Sequence, residues 1–137
     1  MDDTKRLAVA TLALRISLGL IFLVSAIGKI FLGMFPPIDK ILPFIPLNIS
    51  AYLLGLVEFI VALMLLSGFY TRIAAAIAGV LLIVFLISGL ALGIFMSAGL
   101  LKDIGLLGAA VALWLIGSPR WGLDAVFVRR AQGKTNG

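Results

Sequence analysis

Four long apolar segments dominate this chain, and each calls for hydrocarbon rather than water around it. Crossing a bilayer core of about 30 Å at about 1.5 Å per residue takes roughly 20 apolar residues. Leu7 to Phe31 meets that length, its only charges being Arg15 and Lys29. Ala51 to Phe69 holds a single charge, Glu58, and Ile73 to Met96 holds none. Ile104 to Gly117 is the shortest and needs its flanks to reach both faces. Of the 137 residues, 63% are hydrophobic and 12% charged, with a mean hydropathy of +1.25. An ordinary soluble domain is about half apolar and a quarter charged. The expected fold class is therefore all-α integral membrane: one antiparallel four-transmembrane-helix bundle, spans 7–31, 51–69, 73–96 and 104–117, with an interfacial C-terminal segment.

Lys5 and Arg6 before the first segment raise the alternative of a cleaved signal peptide. A signal core runs about 7–15 residues; this segment is longer and Arg15 interrupts it, so it reads as a span. Orientation follows from Lys and Arg in the short connections. With the N-terminus in the cytoplasm, that side collects Lys5, Arg6, Arg72, Arg120, Arg129, Arg130 and Lys134. The outer side keeps Lys40 and Lys102, with Lys29 at a helix end. Both termini are accordingly expected inside. The net charge of +5 lies in connections and tails, which fits topology determinants and not a nucleic-acid groove.

Met34 to Asn48 contains Pro36, Pro37, Pro43 and Pro46. Proline lacks an amide donor and breaks helices, so this stretch reads as an apolar loop at the outer mouth, with Asn48 or Ser50 capping the next helix. Residues 121–130 mix Trp121, Leu123, Val126 and Phe127 with Asp124, Arg129 and Arg130. Such a segment suits the membrane interface, its arginines toward anionic head groups. Residues 131–137 read as a disordered tail.

Cysteine and histidine are both absent. No disulfide, thiol exchange or iron–sulfur ligation is available, and zinc and haem lose their usual ligands. No metal site and no catalytic residue is assigned, and any redox role needs a borrowed cofactor or a partner.

An ion in the bilayer interior normally faces the bundle and finds a counter-ion. Arg15 and Lys29 are fourteen residues apart, close to four turns at about 3.6 residues each. They share one face of helix one with Gly19, Phe22 and Ala26, with Ser25 one turn before Lys29. Counting from Leu7 and Ala51 at about 1.5 Å per residue, Arg15 and Glu58 differ in depth by only about 8 Å. That makes Arg15–Glu58 the expected buried pair, with Lys29, Lys102 and Asp103 in the layer above. The five, three cations and two anions, outline a ligand pocket for a small anion or a carbonyl-bearing head such as a quinone. The alternative is that they only fix helix register or snorkel to the interface. Small residues four apart, such as Gly89 and Gly93, allow close helix approach. Charge-free helix three suits lipid or a second copy in a homodimer.

Leu12-Ala13-Leu14-Arg15, Gly19-Leu20-Ile21-Phe22 and Gly28-Lys29 resemble the first helix of DoxX-like membrane proteins. Gly55, Glu58, Gly68, Thr71 and Arg72 resemble that family's second helix and its turn. Gly117-Ser118-Pro119-Arg120-Trp121-Gly122-Leu123-Asp124 is similar to its glycine-rich, Arg-aromatic-x-Leu-Asp ending. On this resemblance Arg72, Arg120, Trp121 and Asp124 are structural and topological. The resemblance implies a four-helix protein of the prokaryotic plasma membrane, often tied to sulfur or redox metabolism. Relatives include a subunit of an archaeal thiosulfate:quinone oxidoreductase, and eukaryotic relatives act as chaperones or cargo receptors.

Three functions follow in order. The first is a membrane component of a redox or sulfur-metabolism assembly, binding quinone or a small anion, and no autonomous enzyme. The second is a scaffold or assembly chaperone for partner membrane proteins, without a ligand of its own. A small-molecule transporter ranks third, because four-helix exporters typically carry their glutamate in the first helix.

Overall fold

The computed structural model of the chain describes residues 2–34, 44, 46–93, 98–117 and 122–135. Five helices follow in order: α1 Asp3–Phe31, α2 Leu47–Ser67, α3 Thr71–Ala91, α4 Ala98–Ile116 and α5 Leu123–Thr135. The first four are long and apolar enough to cross a membrane. Each packs on the next, and α4 returns to α1, which closes a four-helix bundle.

Small residues set the register of both hairpins. A Cβ on Gly19 would lie 2.9 Å from Leu66 Cγ, and one on Gly55 3.1 Å from Lys29 Cβ. Pairing early α1 with late α2, and late α1 with early α2, makes the two antiparallel. A Cβ on Gly79 would sit 3.9 Å from Ala110, and one on Gly89 would press on Leu100, so α3 and α4 are antiparallel as well. Ala62, Ala74, Ala75, Ala78 and Ala110 line the interior between Leu18, Phe22, Val61, Leu65, Leu82 and Leu113. Small side chains at the crossings bring backbones close enough for dispersion to hold the helices together. Leu20, Val24, Leu53, Ile60, Val80 and Ile87 point outward, as side chains solvated by lipid should.

Several boundaries differ from those expected. α2 starts at Leu47, directly after Pro46, four residues before Ala51. Proline just before the first helical residue forfeits no hydrogen bond, so Asn48 and Ser50 fall inside the first turn instead of capping it. α4 starts at Ala98, six residues before Ile104, and Lys102 and Asp103 lie within it. α5 runs on to Thr135, so helix continues through most of the tail expected to be disordered. The proline-rich segment 35–43 lies outside the described residues, as does 94–97 at the end of the expected third span.

The α2–α3 turn needs only Gly68, Phe69 and Tyr70. Gly68 takes φ 71°, its N–H bonds the Leu65 carbonyl, and the Phe69 N–H bonds Met64. These two bonds form a Schellman motif. A side chain at Gly68 would also fall on the Arg15 guanidinium and come within 2.8 Å of Gly122 Cα. The start of α5 is thereby seated against the same turn.

Gly68→Ala should lower stability by more than about 2 kcal/mol, because left-handed backbone disfavours Cβ by about 1–2 kcal/mol before any clash is counted. Gly108→Ala should be neutral or stabilising, since a Cβ there meets no described atom within 4 Å and alanine favours helix. Thermal unfolding of the two variants in detergent checks the contrast.

Candidate functional site

The buried face of α1 repeats at Ala8, Thr11, Arg15, Leu18, Phe22, Ala26 and Lys29, three and four residues apart. That spacing keeps one stripe facing the bundle, and it carries both cations inward. Glu58 enters from α2 with no exposed surface, and it is among the largest fully buried side chains described.

Lys29 takes Glu58. Its Nζ donates to Glu58 Oε1 at 2.9 Å and Oε2 at 2.8 Å, and to Ser25 Oγ at 2.6 Å. From α3, the Phe85 ring lies under the ammonium at 5.6 Å from Nζ to centroid, inside the range where a cation is drawn to the ring's electron-rich face. Three helices thus surround one charge. In so dry a place, removing either ion leaves the other uncompensated at about 3–5 kcal/mol.

The expected Arg15–Glu58 pair does not form, because Arg15 serves another purpose. Its Nε donates to the Leu65 carbonyl at 3.0 Å and its Nη2 to Leu66 at 3.4 Å. The last carbonyls of a helix lack internal partners and carry the negative end of its dipole, so a buried guanidinium there both caps and neutralises α2. Leu65 is seven residues past Glu58, about 10 Å along the helix. Arg15 and the Lys29–Glu58 pair therefore occupy separate levels.

Side-chain direction explains the exchange. Helical side chains lean toward the N-terminus of their own helix. In antiparallel neighbours, Lys29 leans down α1 while Glu58 leans up α2, and the two converge. Arg15 leans away from Glu58 toward the end of α2.

Lys102 and Asp103 join the Lys29 end from α4. Lys102 Nζ is 3.7 Å from Asp103 Oδ1, with the lysine side chain 56% exposed and the aspartate 18%. Four of the five expected residues are thus gathered at one end, Lys29 and Lys102 against Glu58 and Asp103. Two cations balance two anions, where including Arg15 would have left an excess of one.

Arg72, on exposed α3 surface, repeats the capping device at the other end: its Nη2 reaches the Leu115 carbonyl of α4 at 3.4 Å. Gly117, at φ 75°, leaves room, since a Cβ there would lie 2.8 Å from Arg72 Nε. Arg120, Trp121 and the Asp124 side chain lie outside the described residues. Sequence reasoning missed Phe85, because an uncharged helix signals no polar neighbour. It also missed the contact of Gly68 with Arg15, for which only the glycine after an apolar run was a cue.

The sequence model of the DoxX family matches residues 10–91, more than half of the chain. That stretch holds Arg15, Lys29, Glu58 and Arg72, and ends with α3. No curated protein and no solved structure matches the chain significantly.

Lys29→Met alone should destabilise by about 3–5 kcal/mol by stranding Glu58. The double variant Lys29→Met/Glu58→Met should regain most of that loss. A double-mutant cycle on denaturation in detergent reads the coupling directly.

Proposed function

The chain belongs to the DoxX family, and from that premise we propose that it is a membrane component of a redox or sulfur-metabolism assembly that holds a quinone-like headgroup at the Lys29–Glu58 pair. The observation that carries this reading is an ion pair with 10% and 0% side-chain exposure, bordered by a hydroxyl and an aromatic ring inside a lipid-soluble bundle. A ligand partitioning into the bilayer reaches such a centre without crossing water. A carbonyl oxygen there replaces Ser25 Oγ or one Glu58 oxygen on Lys29 Nζ, while Phe85 offers a ring face for stacking. With cysteine and histidine absent, the electrons that reduce the quinone come from a partner subunit.

Charge balance favours a neutral head over a small oxyanion. Lys29, Glu58, Lys102 and Asp103 sum to zero, so an entering anion would stay uncompensated in a low-dielectric site, whereas a carbonyl adds no net charge. A scaffold reading has one observation in its favour: Ser25 and Glu58 already accept from Lys29 Nζ, so the pair is complete without a ligand. The orientation we propose puts both termini in the cytoplasm of a prokaryotic cell, because Lys5, Arg6 and Arg72 share the Arg15 end of the bundle, against which basic α5 begins.

Short-chain quinones at about ten times their Kd should add about 1.4 kcal/mol of stability, a rise of several degrees in Tm. Thiosulfate and sulfite should give none, and the double methionine variant should not respond to quinone. Failure of every quinone to shift Tm, together with a partner recovered by crosslinking in native membranes, would select the scaffold. Orientation is checked separately. The chain has no native cysteine, so Gln132→Cys should react with an impermeant maleimide only after cells are opened.

A further inference from the structure

The Lys29 ammonium has no donor to spare. An ammonium carries three N–H groups, and these meet Glu58 Oε1 at 2.9 Å, Glu58 Oε2 at 2.8 Å and Ser25 Oγ at 2.6 Å. A carbonyl that binds here must displace one of the three acceptors, and they are not equal. Parting Nζ from Glu58 leaves a fully buried carboxylate short of its counter-ion. Parting it from Ser25 breaks one bond to a neutral hydroxyl. Ser25 is also half-buried, where Glu58 has no exposed surface.

The freed hydroxyl has a place to turn. A serine or threonine inside a helix can donate to the carbonyl four residues before it, as Thr11 does to Leu7 at 3.0 Å and Ser88 to Val84 at 2.7 Å. For Ser25 the matching carbonyl is that of Ile21. Its side of α1 is also the loosely covered one. Gly55 of α2 packs against Ala26, Lys29 and Ile30. At about 3.6 residues per turn, Ser25 stands about 100° round the helix from Ala26 and about 140° from Ile30. It therefore looks away from α2 and toward α4, the other neighbour of α1. Among the described residues, α1 packs far less extensively on α4 than on α2.

We infer that Ser25 is the exchangeable partner of Lys29. A ligand carbonyl approaches along the seam between α1 and α4 and accepts the N–H that Ser25 gives up, while Lys29 and Glu58 stay paired. No proton or electron moves in the exchange. The inference rests on the quinone reading of this site and narrows it to one acceptor and one approach. Ser25 then sets affinity as a competitor of the ligand, not as an added binding group, so removing its hydroxyl strengthens binding.

The test is equilibrium titration of the full chain in nanodiscs with duroquinone, whose fully methylated ring leaves no position open to addition by lysine. Ser25→Ala empties the acceptor position and should tighten Kd about tenfold, the lower end of what one hydrogen bond to a charged group is worth. Ser25→Leu removes the same hydroxyl but fills the approach, and should weaken binding at least about tenfold. A merely structural role would move both values in one direction. With carbonyl-labelled duroquinone, the infrared carbonyl band should fall on binding to native protein and stay down in Ser25→Ala, because Lys29 is the donor. Ser25→Ala and this band decide the matter even where Ser25→Leu does not fold. Native binding that Ser25→Ala weakens or leaves unchanged overturns the exchange and leaves the quinone site standing. So does a band that returns to its free position in that variant, or tightening by Ser25→Leu. No binding to either native protein or Ser25→Ala removes the quinone reading and the exchange with it.

Discussion

A carboxylate with no exposed surface in the middle of α2 is the constraint around which the bundle is arranged. Hydrocarbon offers Glu58 no hydration, so its counter-ion must come from a neighbouring helix at hydrogen-bonding distance. Lys29 meets that need only if α1 and α2 run antiparallel in one register. Gly19 and Gly55 allow the backbones to approach closely enough for that register. Slipping one helix by a turn would part the ions by about 5 Å and set Leu66 against a different residue. Ion pair and glycine contacts therefore select the same arrangement.

The other end of the bundle meets a related need, again with cations from a neighbouring helix. α2 and α4 both terminate there, and each presents carbonyls without helical partners. Arg15 covers those of α2 from inside, and Arg72 covers α4 from the surface. In both cases a glycine in left-handed backbone, Gly68 or Gly117, clears space for the guanidinium. Two internal cations of α1 thus have distinct partners: one meets a side-chain anion, the other a helix dipole. Treating Arg15 and Lys29 as members of one cluster would merge two separate functions.

The architecture was legible because its cause is coarse. A run of apolar residues long enough to cross the bilayer survives an error of several positions, and all four spans emerged. The charged residues were legible as a set for the same reason, since any ion in such a run demands explanation. Their pairing was not legible from depth alone. The tilt of helical side chains toward the N-terminus moves Lys29 toward Glu58 and Arg15 away from it. Lys102 and Asp103 looked like flanking residues because Ala98 to Leu101 resemble a loop as much as a first turn. Phe85 had no signature, because its relevance depends entirely on which helix faces Lys29.

The division of charge between the first two helices bears on how the chain enters the membrane during synthesis. On insertion scales a charge at the helix centre disfavours transfer by about 2.5–3.5 kcal/mol, and α1 carries Arg15 in mid-helix and Lys29 in its last turn. Emerging alone, α1 has neither the Glu58 carboxylate nor the terminal carbonyls of α2 to answer them. The Glu58 carboxylate and the closing carbonyls of α2 both arrive with the next helix, so the charges of α1 are better accommodated in lipid once the α1–α2 hairpin has formed. The uncharged α3 carries no comparable reason to wait for a companion.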